Sequence, residues 1–425
     1  MNLFRTLRSM GLLRGKGREL QLQRLICPSW RGAFISFVYL VYALLVALCI
    51  ADGFYPSPPS EQTVLQAQVR QIVKWWSFCL PLFICRRRIG TSLAKLLGAI
   101  SLGLAGGGSQ GAGSRGPQRL KTTRTGTGPG FSYVSCEMQG WRPNMEDAVV
   151  CAPRFDESEP QPGEEASTSG RALFGVMDGH GGSEVSAKVA EQLVSRTRAA
   201  CSTAESAGAA LKQAVLEIEE DLRRNNTHGR WRQMGCTAAV ALLTPTQVSV
   251  ASVGDSRVFK CRNGSCVPLT RDHKPESPRE RRRIEAAGGT VAKFGPCYRV
   301  DACLNMSRAL GDFLFKDPDL SPEQQKISPV PEITVSDIDD QDEFLVIACD
   351  GLFELMTWET VCEYIHQRLW TLPLAQIAEG LLDACCSTNV LATLGRGTDN
   401  ESVIIVRLNR TTNHNETSSL VGSML

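Results

Sequence analysis

Five acids in this chain stand where they could gather hard cations. In FGVMDGHGG, residues 174–182, an apolar run ends on Asp178, Gly179 and His180. A strand ending this way delivers an acid and an imidazole to a sheet edge, and the glycines let a ligand approach the backbone. The same grammar returns in FLVIACDG (344–351), which ends at Asp350 and Gly351, and in VASVGDSR (250–257), which carries Asp255. Upstream, GWRPNMEDA (140–148) adds Arg142, Glu146 and Asp147; downstream, GTDNESVIIV (397–406) adds Asp399. One strand-end Asp-Gly is usually a turn, but its repetition points to a metal site. Carboxylates brought together raise one another's pKa and cost stability unless compensated, so their convergence calls for Mg2+ or Mn2+.

On these residues the chain resembles the metal-dependent protein serine/threonine phosphatases, type 2C. The resemblance covers residues 133–408, with GWRPNMEDA, DGHGG, GCTAAVALL, VGDSR, DHKP, SRALGD, CDGLFE and TDN in the family's order. It implies that Asp178 bridges two metal ions per site, that Glu146 and the Gly179 carbonyl complete one ion's protein ligands, and that Asp350 and Asp399 complete the other's. Asp147 is assigned to hold a metal-coordinated water. Two such ions lower the pKa of a water and aim it in line at phosphorus, with no phosphoenzyme required. The implied substrates are phosphorylated proteins, cleaved at phosphoserine or phosphothreonine, and the catalytic domain is expected to act as a monomer.

Within that frame Arg142 suits the phosphate, because a planar guanidinium grips two oxygens at once. His180 suits a general acid for the departing alkoxide. It is a poorer metal ligand: with five histidines in the chain and no HxxxH or HxH pair, zinc chemistry has little sequence support. Asp272 in DHKP and Asp312 in SRALGD match acids that hold a third, weaker metal in some family members, and Asp272 reads equally as a helix-cap acid before an Arg-rich helix. Asp255 and Arg257 read as structural, forming an ion pair within their own turn. The chain departs from the family pattern at Val149, Phe353, Glu354 and Glu401, and at Asp301, Ala302 and Asn305 beside the substrate cleft. None of these removes a matched metal ligand.

Strands must carry these acids. The pattern predicts strands at 131–137, 147–152, 172–177, 237–243, 247–253, 257–261, 344–348 and 402–408, and helices at 183–199, 205–224, 278–287, 357–369 and 374–386. Strand hairpins mid-chain with helices before and after indicate an α+β fold. The resemblance makes it two antiparallel sheets packed face to face and flanked by helix pairs, a four-layer αββα sandwich over residues 131–410. A short disordered tail, 411–425, is expected after it.

The first 130 residues differ in kind. They hold 17 Lys and Arg against 3 acids, a net of +14, whereas the rest holds 29 against 41, a net of −12. This asymmetry assigns the positive charge to the leader and argues against a nucleic-acid-binding catalytic domain. Residues 33–51, AFISFVYLVYALLVALCIA, are uncharged and long enough to cross a bilayer core of about 30 Å. A second apolar piece at 72–85 is short, interrupted by Pro81, and followed by Arg86, Arg87 and Arg88. Leader residues 1–90 therefore read as a membrane anchor and 91–130 as a Gly/Ser/Arg/Thr-rich linker. A hairpin that returns the three arginines to the cytosol leaves the catalytic domain cytosolic; an organelle-targeting presequence, mitochondrial or plastid, is the alternative. The 16 cysteines show no CxxC pair and read as reduced thiols. Cys79 and Cys85 are candidates for acylation, and Asn225 and Asn263 match glycosylation sequons that short triplets also meet by chance.

Overall fold

The computed structural model describes residues 116–156 and 170–409. The expected membrane segments at 33–51 and 72–85 and the tail from 411 lie outside them. Among the described residues no helix is long and apolar enough to cross a membrane.

The chain begins with strands β1 (Gln118–Gly128), β2 (Phe131–Gly140), β3 (Ala148–Ala152), β4 (Ala172–Met177) and the short β5 (Gly179–His180). Helices α1 (Glu184–Cys201) and α2 (Ala207–Asn225) follow, then β6 (Gly235–Cys236), β7 (Ala238–Leu243), β8 (Gln247–Val253), β9 (Arg257–Arg262) and β10 (Ser265–Pro268). Next come α3 (Pro278–Ala286), β11 (Val291–Phe294), β12 (Cys297–Val300), β13 (Leu310–Gly311), β14 (Glu332–Asp337) and β15 (Asp342–Ala348). A 3-10 turn at Asp350–Phe353, α4 (Trp358–His366), α5 (Leu374–Cys385) and β16 (Glu401–Leu408) complete the fold.

Two antiparallel sheets face each other, one ordered β1-β2-β16-β15-β9-β10 and the other β14-β8-β7-β4-β3. Strands covered on both faces lose the apolar–polar alternation. Thus ALFGVM in β4 and DEFLVIA in β15 are buried throughout. Between the sheets, Phe131 and Tyr133 of β2 meet Phe174 of β4 with ring centroids 5.8 and 5.3 Å apart. Helices α1 and α2 bury Val185, Val189, Leu193, Leu211, Val215, Ile218 and Leu222 against one sheet, at the spacing of a helical stripe. Leu374, Ile377, Ala378, Leu381 and Leu382 of α5 join the core on the other side. The result is an α+β sandwich with helices outside both sheets, and each expected helix is present with its ends moved by at most three residues.

One stretch corrects the sequence reading. Residues 118–128, expected to be linker, form edge strand β1. Its register sets Gly126 opposite Tyr133 and Gly128 opposite Phe131. A Cβ on either glycine would lie within 2.6 or 2.1 Å of those rings, so these glycines are the room the aromatics occupy rather than marks of flexibility. Arg119 and Lys121 reach from the same strand to Asp383 on α5, each at 2.9 Å.

The segment that carries SRALGD is tied down by Glu280 of α3. Its carboxylate takes hydrogen bonds from Arg308 at 2.7 and 3.1 Å, Ser307 at 2.7 Å and Arg283 at 2.5 Å. Burial opposes the charge, but the two guanidiniums outweigh it and hold Glu280 down at about 2.

Glu401, at the start of β16, is the opposite case. It is fully buried, neither carboxylate oxygen has a hydrogen-bond partner among the described residues, and burial pushes its pKa up to about 9. The folded acid therefore keeps its proton between pH 4.5 and 9 while the unfolded acid releases it, so stability falls as pH rises through that window. Glu401→Leu is expected to gain about 1–3 kcal/mol at pH 8. The gain should shrink toward pH 5, and denaturant unfolding of both proteins at the two pH values measures it. An equal difference at both would rule out the buried proton.

Candidate metal centre

Antiparallel register brings the strand ends together. Ala348 at the end of β15 pairs with Val403 of β16 and Arg257 of β9, and Ala148 of β3 pairs with Met177 of β4. The residues just beyond those ends, Glu146 and Asp147, Asp178, Asp255, Asp350 and Asp399, therefore meet at one edge of the sandwich. Glycine lets the loops close. A Cβ on Gly179 would stand 2.1 Å from the Glu146 carbonyl oxygen, and one on Gly351 would stand 2.1 Å from that of Asn400. Asn400 links the outer loops: its side chain donates to the Gln139 and Asn144 carbonyls and accepts from the Glu146 N–H at 2.9 Å.

The electrostatics are those of a site built for cations. Burial, followed by the charges of Asp147, Asp350, Asp399 and Asp255, drives the Asp178 pKa well above the carboxylate range. Asp350 is raised likewise by burial, Asp255 and Asp399, with Lys274 opposing. Asp147 is pushed up to about 7 by burial although Ser402 donates to it at 2.7 Å. Oδ1 of Asp147 and Oδ1 of Asp255 are buried without a hydrogen-bond partner among the described residues. Three acids whose ionisation is penalised by burial and by their neighbours, and buried oxygens left over, fit Mg2+ or Mn2+, which bind oxygen ligands and supply the missing charge. The residues present to hold such ions are Glu146, Asp178, Asp350, Asp399 and the Gly179 carbonyl, with Asp147 beside them.

Two groups face this centre from its rim. Arg142, half exposed, places Nη2 2.5 Å from Asp399 Oδ2. His180 places Nε2 2.6 Å from Asp312 Oδ2, and although burial works against its charge, the hydrogen bond and charge of Asp312 raise its pKa.

The structure also reassigns partners. The ion pair expected between Asp255 and Arg257 is absent: Lys274 pairs with Asp255, while Arg257 grips Asp272 through two hydrogen bonds of 3.0 and 2.8 Å. Arg257 also lies over the Phe353 and Trp358 rings at 4.5 and 4.7 Å, so Phe353 serves as a platform for that guanidinium. Asp272 and Asp312, grouped in the sequence as third-metal candidates, are thus each engaged by a different partner, Arg257 and His180. Asp255 is the acid the sequence reading set aside: it is buried and its charge acts on both Asp178 and Asp350. Its strand-end position in VGDSR was the available signal. Glu354 accepts from the Gly397 and Thr398 N–H groups at 2.5 and 3.1 Å, which braces the loop before Asp399.

Comparison with known proteins shows what this fold is similar to. Residues 131–392 match the family model for protein phosphatase 2C. Protein phosphatase 2C homolog 2 of Aspergillus flavus is 37% identical over 293 residues, 68% of this chain and 66% of that protein. Probable protein phosphatase 2C 3 of Paramecium tetraurelia is 34% identical over 311 residues, covering 69% of this chain and 98% of that protein. Among solved structures, a phosphatase from Toxoplasma gondii superposes with a TM-score of 0.57 at 25% identity, covering 69% of this chain and 98% of its own. The chain spans just under two thirds of the length of the fungal relative.

Proposed function

Because this chain belongs to the protein phosphatase 2C family, we propose that it hydrolyses phosphoserine and phosphothreonine in proteins with Mg2+ or Mn2+ bound at the carboxylate centre. The observation that carries this reading is the convergence of Asp178, Asp350 and Asp399, with Asp147, into one mutually destabilising cluster flanked by an arginine and a histidine. When bound, the two ions would supply charge neutralisation and the activation of a water for attack on phosphorus. The chain's own residues do the rest. Arg142 holds the phosphate oxygens and is kept in place by Asp399. Asp312 accepts from Nε2 of His180, which leaves Nδ1 to hand a proton to the departing serine or threonine oxygen. The pKa raised by Asp312 favours the protonated imidazole. Asp147 and Asp255 contribute oxygens without direct partners that suit coordinated waters.

The test is turnover of phosphothreonine peptides beside nucleotides, with Mg2+, Mn2+ or excess chelator. Peptide turnover that requires the ions supports the reading. Undiminished turnover in chelator, or a preference for nucleotides, overturns it.

We also propose that residues 33–51 and 72–85 form a membrane hairpin, with a monomeric catalytic domain in the cytosol. The support lies in the sequence: an uncharged 19-residue run, then a shorter one closed by three arginines. Protease added to sealed microsomes should digest the catalytic domain. Protection, with glycan on Asn225 or Asn263, would instead establish a single span.

A further inference from the structure

The far end of the sandwich assembles a second constellation of ligand atoms, from residues that the phosphatase chemistry does not use. Hairpin β9–β10 sets Cys261 directly opposite Cys266. Glu343 of β15 lies next to Phe344, which pairs with Cys261. Helix α4 contributes Cys362 and, one turn later on the same face, His366. The neighbouring Cys261 and Cys266 thiols, followed by burial, raise the pKa of the Cys362 thiol. Cys261 Sγ, a Glu343 carboxylate oxygen and a His366 ring nitrogen all lie within 4.8 Å of one another. His366 Nδ1 and Glu343 Oε2 are already 2.7 Å apart, and the other Glu343 oxygen accepts from the Gly264 N–H at 2.9 Å.

We propose that Cys261, His366 and Glu343, with Cys362 beside them on α4, form a binding site for a thiophilic divalent cation, Zn2+ in chemical class, separate from the carboxylate centre. Ligand atoms around tetrahedral zinc stand about 3.2–3.8 Å apart, so the observed spread closes on an ion with small side-chain rotations. Thiolate and imidazole select zinc over magnesium, just as the all-oxygen centre does the reverse. The Cys261 thiol gives up its proton to solvent as the ion enters, and the Glu343 carboxylate either ligates or orients His366. Entry is open, because the His366 side chain is 40% exposed while Cys261 and Cys362 are buried behind it. Glu343 stands at the start of β15 and Asp350 just past its end, seven residues on, or roughly 20 Å at about 3.3 Å per residue. An ion here would therefore tie β9–β10, β15 and α4 together without touching the catalytic acids, whatever reaction those acids perform.

Cobalt tests the site without any assay of activity. The full-length chain, purified in detergent with reductant and stripped of metal, is titrated with Co2+. Thiolate ligation produces a near-ultraviolet charge-transfer band that the carboxylate centre cannot give. A band that saturates at one equivalent and is displaced by Zn2+ is expected, and it should persist in Asp350→Asn and in Cys303→Ser, which alters an exposed thiol. Cys261→Ser and His366→Ala should each weaken cobalt binding by about tenfold or more. If Cys261→Ser does not fold, His366→Ala, near the surface, decides the matter. Absence of the band, or a band unchanged in His366→Ala, would reduce the cluster to packed thiols beside an ordinary histidine–glutamate pair.

Discussion

Asp350→Asn is expected to cut turnover of a phosphothreonine peptide by about 10³-fold or more. The side chain keeps its shape and loses only its charge, at a position where Asp178 and Asp350 contend with three further acids. With one charge gone the cluster repels itself less, so the metal-free variant should fold at least as well as the parent. Added Mn2+ should raise the melting temperature of the parent and do much less for the variant. Because burial and neighbouring acids raise the pKa of Asp178 and Asp350 when no metal is bound, protons compete with Mn2+ for them and the Mn2+ effect should also grow as pH rises. Activity within tenfold of the parent, or a loss explained by unfolding, would take Asp350 out of the metal set.

His180→Gln is expected to slow hydrolysis of an alkyl phosphate by about 10²-fold or more, because an alkoxide must be protonated as it leaves. An aryl phosphate with an activated leaving group should be slowed far less. The geometry adds a second arm. Asp312 raises the pKa of His180 through the 2.6 Å contact, so Asp312→Asn should lower it and move the alkaline limb of the rate profile to lower pH. Gly235 packs against Asp312 closely enough that a Cβ there would stand 2.2 Å from the carboxylate, and the isosteric amide respects that space. Equal losses of alkyl and aryl turnover in His180→Gln would assign the imidazole to ordering the loop rather than to proton transfer.

The candidate acids were legible because each sits next to a strand: Asp178 and Asp350 where an apolar run breaks on Asp-Gly, and Glu146, Asp147 and Asp399 just before an apolar run begins. Helices α1 to α5 were legible for a similar reason: an apolar stripe repeats within a single segment, so neighbours in sequence carry the signal. Strand β1 was not. Its glycines read as linker until the register placed Tyr133 and Phe131 over them, and only a partner strand supplies that fact. Pairing among the charges was equally out of reach. Asp255 turned to Lys274 and Arg257 to Asp272 because the strand ends bring DHKP against VGDSR, although Asp255 and Arg257 are near neighbours in the chain. Asp312 found His180, 132 residues away. The thiol, imidazole and carboxylate of Cys261, His366 and Glu343 come from three elements with no common spacing. Residue type and local periodicity determined which groups this protein has and which segments carry them; the tertiary structure decided their partners, because burial makes a charge or thiol take its nearest complement in space.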